Sequence, residues 1–91
     1  MNQAELAAER VLLAAATLRR NTERRKPIRA KHHLSQMLHE LPALAPVVAS
    51  AANGRLKDRM LQLAAAYEVG NAVAAKDATH WIEAYLFPLC H

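Results

Sequence analysis

The chain has 91 residues, a formal net charge of +4, twenty alanines and four aromatic side chains. A chain this short leaves roughly 35–40% of its unfolded surface exposed after folding, and alanine buries little apolar area, so any core is thin. These numbers exclude a multidomain protein. They predict one all-α domain over residues 1–91, a small bundle of four to five helices, because alanine has the best helix propensity. A thin core gains from association with a second copy, so we expect a dimer.

Cysteine content and hydropathy restrict the class of protein further. Cys90 is the single cysteine, and one cysteine cannot form an intramolecular disulfide. The first apolar run, residues 11–16, is short and follows Glu5, Glu9 and Arg10, unlike a secretory signal. No stretch approaches the roughly 20 apolar residues that a membrane helix requires. We therefore expect a soluble, cytoplasmic protein without a membrane partner.

The first predicted helix runs from Asn2 to about Arg20. Asn2 is a suitable N-cap, and Glu5 three residues later completes a capping box. Arg19 and Arg20 lie in the last turn, where cations complement the helix dipole. The apolar stripe of this helix, at spacings of three and four, consists of Ala4, Ala7, Ala8, Val11, Ala14, Ala15 and Leu18.

The middle of the chain is divided by prolines. Residues 21–26 form a predicted polar joint, and Pro27 prevents the first helix from continuing. A second helix is predicted from Ile28 to Leu41, because the next residue is again proline. In the following stretch, a short helix is predicted from Pro46 to Ala51, and Asn53-Gly54 stops it because both residues tolerate positive φ.

Two helices are predicted in the last third of the chain. The longer one runs from Arg55 to about Lys76, with Gly70 in its interior at a cost of about 1 kcal/mol relative to alanine. Asp77 is the predicted N-cap of a final helix, Ala78 to Phe87, which Pro88 ends.

The predicted final helix carries three of the four aromatic residues, Trp81, Tyr85 and Phe87, and we expect it to supply much of the core volume. Residues 67–72, followed by Asp77 and a second helix, are similar to the middle of one tetratricopeptide unit over about 20 residues. Bulky Trp81 and Ile82 stand where that family has a small residue. The pattern therefore predicts a generic antiparallel helix pair.

A basic segment, residues 19–33, is the first candidate for function. It holds seven of the twelve lysines and arginines, and Glu23 is the one acid among them. Such a segment can neutralise phosphates of a nucleic acid, bind another acidic partner, or simply be a solvated joint between helices. No aromatic residue interrupts it, so base stacking is not expected. The candidate nucleic-acid-binding residues are Arg19, Arg20, Arg24, Arg25, Lys26, Arg29 and Lys31.

No metal, cofactor or catalytic site is predicted. His32 and His39 lie two helical turns, about 10 Å, apart, which is too far for them to share an ion without a third ligand. As a nucleophile Cys90 would need a base and a shaped pocket, which we do not expect next to the C-terminus, and two glycines are too few for a phosphate-binding loop. We therefore expect surface and half-buried histidines and a protein that is not an enzyme.

An apolar connection is the second candidate for function. Its residues either fold over the core as a short helix or form an exposed patch that docks a partner or a second copy. Trp81 and Tyr85 are candidate anchors, because aromatic side chains are enriched in binding hot spots. The connection consists of Met37, Leu38, Leu41, Leu44, Val47 and Val48.

Together these patterns favour a small non-enzymatic interaction or regulatory protein that acts through helix-face contacts. The partner is another protein or, as we expect, a second copy in a homodimer. The alternative is a nucleic-acid-binding protein that uses the basic segment 19–33.

Overall fold

A computed structural model describes residues 2–90, apart from the side chain of Ser50. Within this range the chain forms helices and no strands, so the predicted all-α bundle is confirmed. The helices, in chain order, are α1 (Gln3–Arg24), α2 (Ala30–His39), α3 (Leu41–Leu44), α4 (Ser50–Val69) and α5 (Ala72–Cys90).

Helix α1 begins where the sequence predicts and ends one turn later. The side-chain oxygen of Asn2 accepts a hydrogen bond from the Glu5 backbone N–H at 2.8 Å, as an N-cap does. The helix continues past the predicted end because Thr22 is buried, and its hydroxyl donates to the Leu18 carbonyl at 2.7 Å. Arg25 then closes the helix in the left-handed conformation, at φ 54°. The predicted polar joint 21–26 is therefore largely helix, and the connection consists of residues 25–29.

The predicted helix from Pro46 to Ala51 is wrong. Pro42 lies in the first turn of the four-residue α3, where a missing N–H costs nothing, and turns occupy the chain up to Ala49. Helix α4 begins at Ser50 and passes through Asn53 and Gly54 without a break. Tertiary packing of the later turns of α4 outweighs the local turn preference of this pair.

The break between the last two helices lies at Gly70, so the prediction of a helix to Lys76 is wrong. Gly70 has φ 67°, and the Asn71 N–H reaches back to the Ala66 carbonyl at 2.9 Å, which is a glycine C-cap. Asn71 then caps α5, because its side-chain oxygen accepts from the Ala74 N–H at 3.0 Å. Asp77 and Pro88, the predicted first and last boundaries of the final helix, both lie inside α5.

The core lies where α5 packs against α1 and α4, and aliphatic rather than aromatic side chains fill it. The prediction for the aromatic residues of α5 is wrong, since Trp81 and Phe87 are each 42% exposed and Tyr85 is half-buried. Fully buried alanines such as Ala8, Ala15 and Ala75 leave room for close helix approach. The largest fully buried side chains are Leu18, Met37, Leu44, Leu56, Met60, Leu63, Ile82 and Leu86.

A single copy of the chain packs tightly. Its radius of gyration is 12.2 Å. A compact domain of this length is expected to have a radius of about 12 Å. One chain therefore forms a compact bundle by itself, and association with a second copy would bury additional surface.

Candidate functional site

The connection between α1 and α2 is held in place by Tyr67 of α4. The Tyr67 hydroxyl donates to the Lys26 carbonyl at 2.9 Å and accepts from the Ile28 N–H at 2.6 Å. The Lys26 N–H also bonds the Asn21 carbonyl at 3.0 Å, and the Ile28 side chain packs against the core. Residues 25–29 are therefore fixed to the bundle at both the backbone and the side-chain level.

The seven predicted cations all lie around this connection, and we call them the basic cluster. Arg19 is engaged, because its guanidinium forms an ion pair with Glu23 at 3.0 Å. The other six side chains are exposed and form no ion pair with any residue in the described range 2–90. By contrast, Arg10 and Arg59 elsewhere are paired with Glu40 and Asp77. The six unpaired cations are Arg20, Arg24, Arg25, Lys26, Arg29 and Lys31.

The start of α2 adds to this positive potential. Arg29 is the N-cap residue and forms no side-chain cap, and the first turn of α2 contains no acid. A helix N-terminus carries a partial positive charge, so Arg29 and Lys31 there oppose the dipole instead of complementing it. Glu68 of α4 shares a shallow depression with Arg29, Lys31 and His32 but forms no ion pair with them. The positive charge is thus left largely uncompensated.

A groove lies between α1 and α2, and we call it the histidine groove. Its volume is about 560 Å³. The sequence places His32 and His39 on one face, and the structure adds Arg10 of α1 opposite them. Among residues 2–90, no group of His, Cys, Asp and Glu side chains is arranged to hold a metal ion. His91 lies outside the described residues. The groove is lined by Arg10, Leu13, Ala14, Thr17, His32, His33, Ser35, Gln36, His39 and Glu40.

The predicted apolar connection does not form a continuous surface. Met37, Leu44 and Val48 lie in the core and are unavailable to a partner in this fold. Leu38 and Leu41 are half-buried against the core, and only Val47 of the six is largely exposed, at 51%. Five of the six residues therefore lie in or against the core, as the first of the two interpretations of this segment expects.

The predicted anchors Trp81 and Tyr85 contact arginines in the first half of α4. The Arg59 guanidinium stacks on the Trp81 ring, 4.9 Å from its centroid, and also pairs with Asp77 at 3.5 Å. The Tyr85 hydroxyl accepts from Arg55 Nε at 3.1 Å. Both aromatic side chains thus have partners within the chain, and Trp81 keeps an exposed face.

Sequence reasoning missed a groove between α1 and α5. Leu13 is 69% exposed beside it, Phe87 lies on the opposite wall, and Glu9 and Glu83 lie at its edge. Cys90 lines the same groove, where burial raises the pKa of its thiol and the carboxylates of Glu9 and Glu5 raise it further. The sequence shows the apolar residues of both walls, but only the packing of α1 against α5 brings together Leu13 and Phe87, which are about 75 positions apart in the chain.

No protein-family model, curated protein or solved structure matches this chain. Among residues 2–90, none of the helices has both the length and the apolar character needed to cross a bilayer.

Proposed function

We propose that this chain is a non-enzymatic, cytoplasmic protein that binds nucleic acid through the basic cluster. One observation carries the proposal: six exposed cations, which have no ion-pair partner among residues 2–90, surround a connection that Tyr67 fixes to the bundle. Each cation that neutralises a phosphate releases a condensed counterion, which favours binding. Because the connection is fixed, less conformational freedom is lost when its cations bind a phosphate backbone.

The chemistry of the cluster indicates the binding mode. It contains arginine and lysine but no aromatic side chain on which a base can stack. Contacts of this kind reach the phosphate backbone and position the protein without reading sequence. We therefore expect affinity that depends strongly on salt and weakly on base sequence.

The test is a salt titration of binding to a labelled 20-base-pair DNA duplex, followed by fluorescence anisotropy. The logarithm of the binding constant is expected to fall linearly with that of the salt concentration, by about 0.9 for each phosphate contact. The Arg24→Ala/Lys26→Ala variant is expected to lower this slope by about 1.8. The matched control is Lys57→Ala/Lys76→Ala, which removes two exposed cations from α4 and α5.

Two results would reject the proposal. One is the absence of binding at about 50 mM salt, where phosphate-directed binding is strong. The other is an equal change of slope in both variants, because binding would then report net charge and not the basic cluster.

A second candidate function is self-association through helix faces, in which the protein acts as an interaction or regulatory module. The observation that favours it is the apolar groove between α1 and α5, flanked by exposed Leu13 and Phe87. A second copy is the occupant we propose, because the two copies would cover each other's Leu13 and enlarge a thin core.

Light scattering coupled to size-exclusion chromatography tests this second function. The wild-type chain is expected to have the mass of a dimer, and Leu13→Glu the mass of a monomer. Val73→Glu is the matched control, because Val73 is 81% exposed on α5 and does not line the groove. A monomeric wild type at all concentrations would refute self-association and leave nucleic-acid binding intact.

A further inference from the structure

The histidine groove adjoins the basic cluster at His32, which lines the groove and also a shallow depression that it shares with Arg29 and Lys31. His32 and His33 follow Lys31 directly in the first turns of α2, and His39 lies at the other end of the same helix. From His32 to His39 the helix rises about 10 Å, which corresponds to about three nucleotides along one strand. The groove therefore offers a path for the backbone of a strand that is already bound at the cluster.

Among the helices packed on α2, α1 and α4 contribute charged groups near the groove, and α3 contributes none. Helix α1 contributes Arg10, which pairs with Glu40 at 3.5 Å at the junction of α2 and α3. Helix α4 contributes Glu68, which lies beside His32 at the start of α2. The Glu40 carboxylate is already engaged by Arg10. Glu68 has no ion pair among the described residues, but it lies in the depression beside His32 and does not line the groove, so a phosphate near His39 does not meet it.

Neutral and protonated imidazoles treat a phosphate differently. A neutral histidine donates through one ring nitrogen, whereas a protonated one donates through both and carries a positive charge. Histidine side chains commonly change between these forms between about pH 5 and pH 8. Protonation therefore strengthens the attraction between a histidine side chain and a phosphate.

We propose that the histidine groove is a second part of the nucleic-acid site, which binds additional backbone phosphates when its histidines are protonated. This inference rests on the proposed function of the basic cluster. Binding of the phosphates favours the protonated form, so uptake of protons accompanies binding and the affinity rises with acidity. Thr17, Ser35 and Gln36 supply neutral hydrogen-bonding groups along the same groove.

The test measures binding of the same DNA duplex at pH 5.5, 6.5 and 7.5 at constant ionic strength. The wild-type chain is expected to bind at least about tenfold more tightly at pH 5.5 than at pH 7.5. His32→Gln and His39→Gln are each expected to reduce that ratio, and the double variant to about threefold or less. His80→Gln is the matched control, because His80 is exposed on α5 beside Trp81 and outside the groove.

The outcomes separate the two proposals. Binding with a normal salt slope but no dependence on pH would overturn this inference and keep the proposed function. An equal loss of pH dependence in His39→Gln and His80→Gln would also overturn it, because the effect would then follow net charge. Absence of binding at every pH would reject both. Circular dichroism of each variant at each pH confirms that the helices remain folded.

Discussion

Replacement of Tyr67 by phenylalanine tests whether the connection under the basic cluster is fixed. The substitution removes one oxygen and keeps the ring, which packs against the core. It deletes two hydrogen bonds, to the Lys26 carbonyl at 2.9 Å and from the Ile28 N–H at 2.6 Å. The carbonyl is exposed and regains water, whereas the Ile28 N–H is partly buried and loses its partner.

The expected loss of stability depends on the Lys26 carbonyl, which is solvated again, and on the Ile28 N–H, which is left without a partner. A hydrogen bond contributes about 0.5–1.5 kcal/mol net, and an unsatisfied buried donor costs about 1–3 kcal/mol. We expect Tyr67→Phe to lower the free energy of unfolding by about 1.5–3 kcal/mol. For a domain of this size, each kcal/mol lowers Tm by about 4–8 °C, so the expected fall is roughly 6–24 °C.

Urea denaturation followed by circular dichroism measures this change. The midpoint is expected to fall while the slope m stays constant, because the native fold is kept. Tyr85→Phe is the control, since its hydroxyl accepts from Arg55 at an exposed site, and we expect a change below about 0.5 kcal/mol. Equal changes in both variants would show that the Tyr67 hydroxyl does not hold the connection.

Binding gives a second readout for Tyr67→Phe. All cations remain, so the salt slope of DNA binding is expected to stay constant while affinity falls, by up to about tenfold for about 1.4 kcal/mol of lost order. A reduced slope would mean that the cations themselves had moved away from the phosphates.

Three further predictions concern single sites. Gly54→Ala is expected to raise the free energy of unfolding by about 0.5–1 kcal/mol, because Gly54 lies inside α4 with open space around its Cα. Gly70→Ala is expected to lower it by about 1–2 kcal/mol, because Gly70 has φ 67°. Urea denaturation measures both changes. Burial, followed by the Glu9 and Glu5 carboxylates, raises the pKa of the Cys90 thiol. At pH 8, iodoacetamide is therefore expected to alkylate Cys90 more slowly in the folded chain than in urea. Glu9→Gln is expected to increase the alkylation rate of the folded chain. Glu68→Gln removes a negative charge next to the basic cluster and is expected to tighten DNA binding at low salt. Unchanged or weaker binding in anisotropy titrations would show that Glu68 does not repel the phosphates.

The sequence predicted features that depend on neighbouring residues. Asn2 and Glu5 specify the start of α1 within four residues, and the structure has that cap. Asn53-Gly54 is also a local signal, but it predicted a stop where α4 continues. The later turns of α4 bury Leu56 and Met60, and this packing exceeds the propensity cost of the pair. A local signal holds where tertiary packing does not compete with it.

The same distinction applies to the candidate sites. The basic cluster is one continuous segment, so its location was predictable, although its fixation by Tyr67, about 40 residues away, was not. The histidine groove needs Arg10 from α1, and the apolar groove needs Leu13 and Phe87 from opposite ends of the chain. Neither arrangement has a periodicity that reveals it, because each depends on which helices pack together.

Alanine content decides where the large side chains of this protein lie. Because Ala8, Ala15 and Ala75 are fully buried, the helices that carry them leave little space at those positions for an aromatic ring. Trp81 and Phe87 are consequently displaced to the rim of α5, where each keeps an exposed face. The composition that thins the core therefore also supplies the apolar surface, and the unpaired cations lie elsewhere, around the connection between α1 and α2. A small bundle can thus present two chemically different surfaces, the basic cluster that we propose binds a polyanion and the apolar groove that we propose binds a second copy.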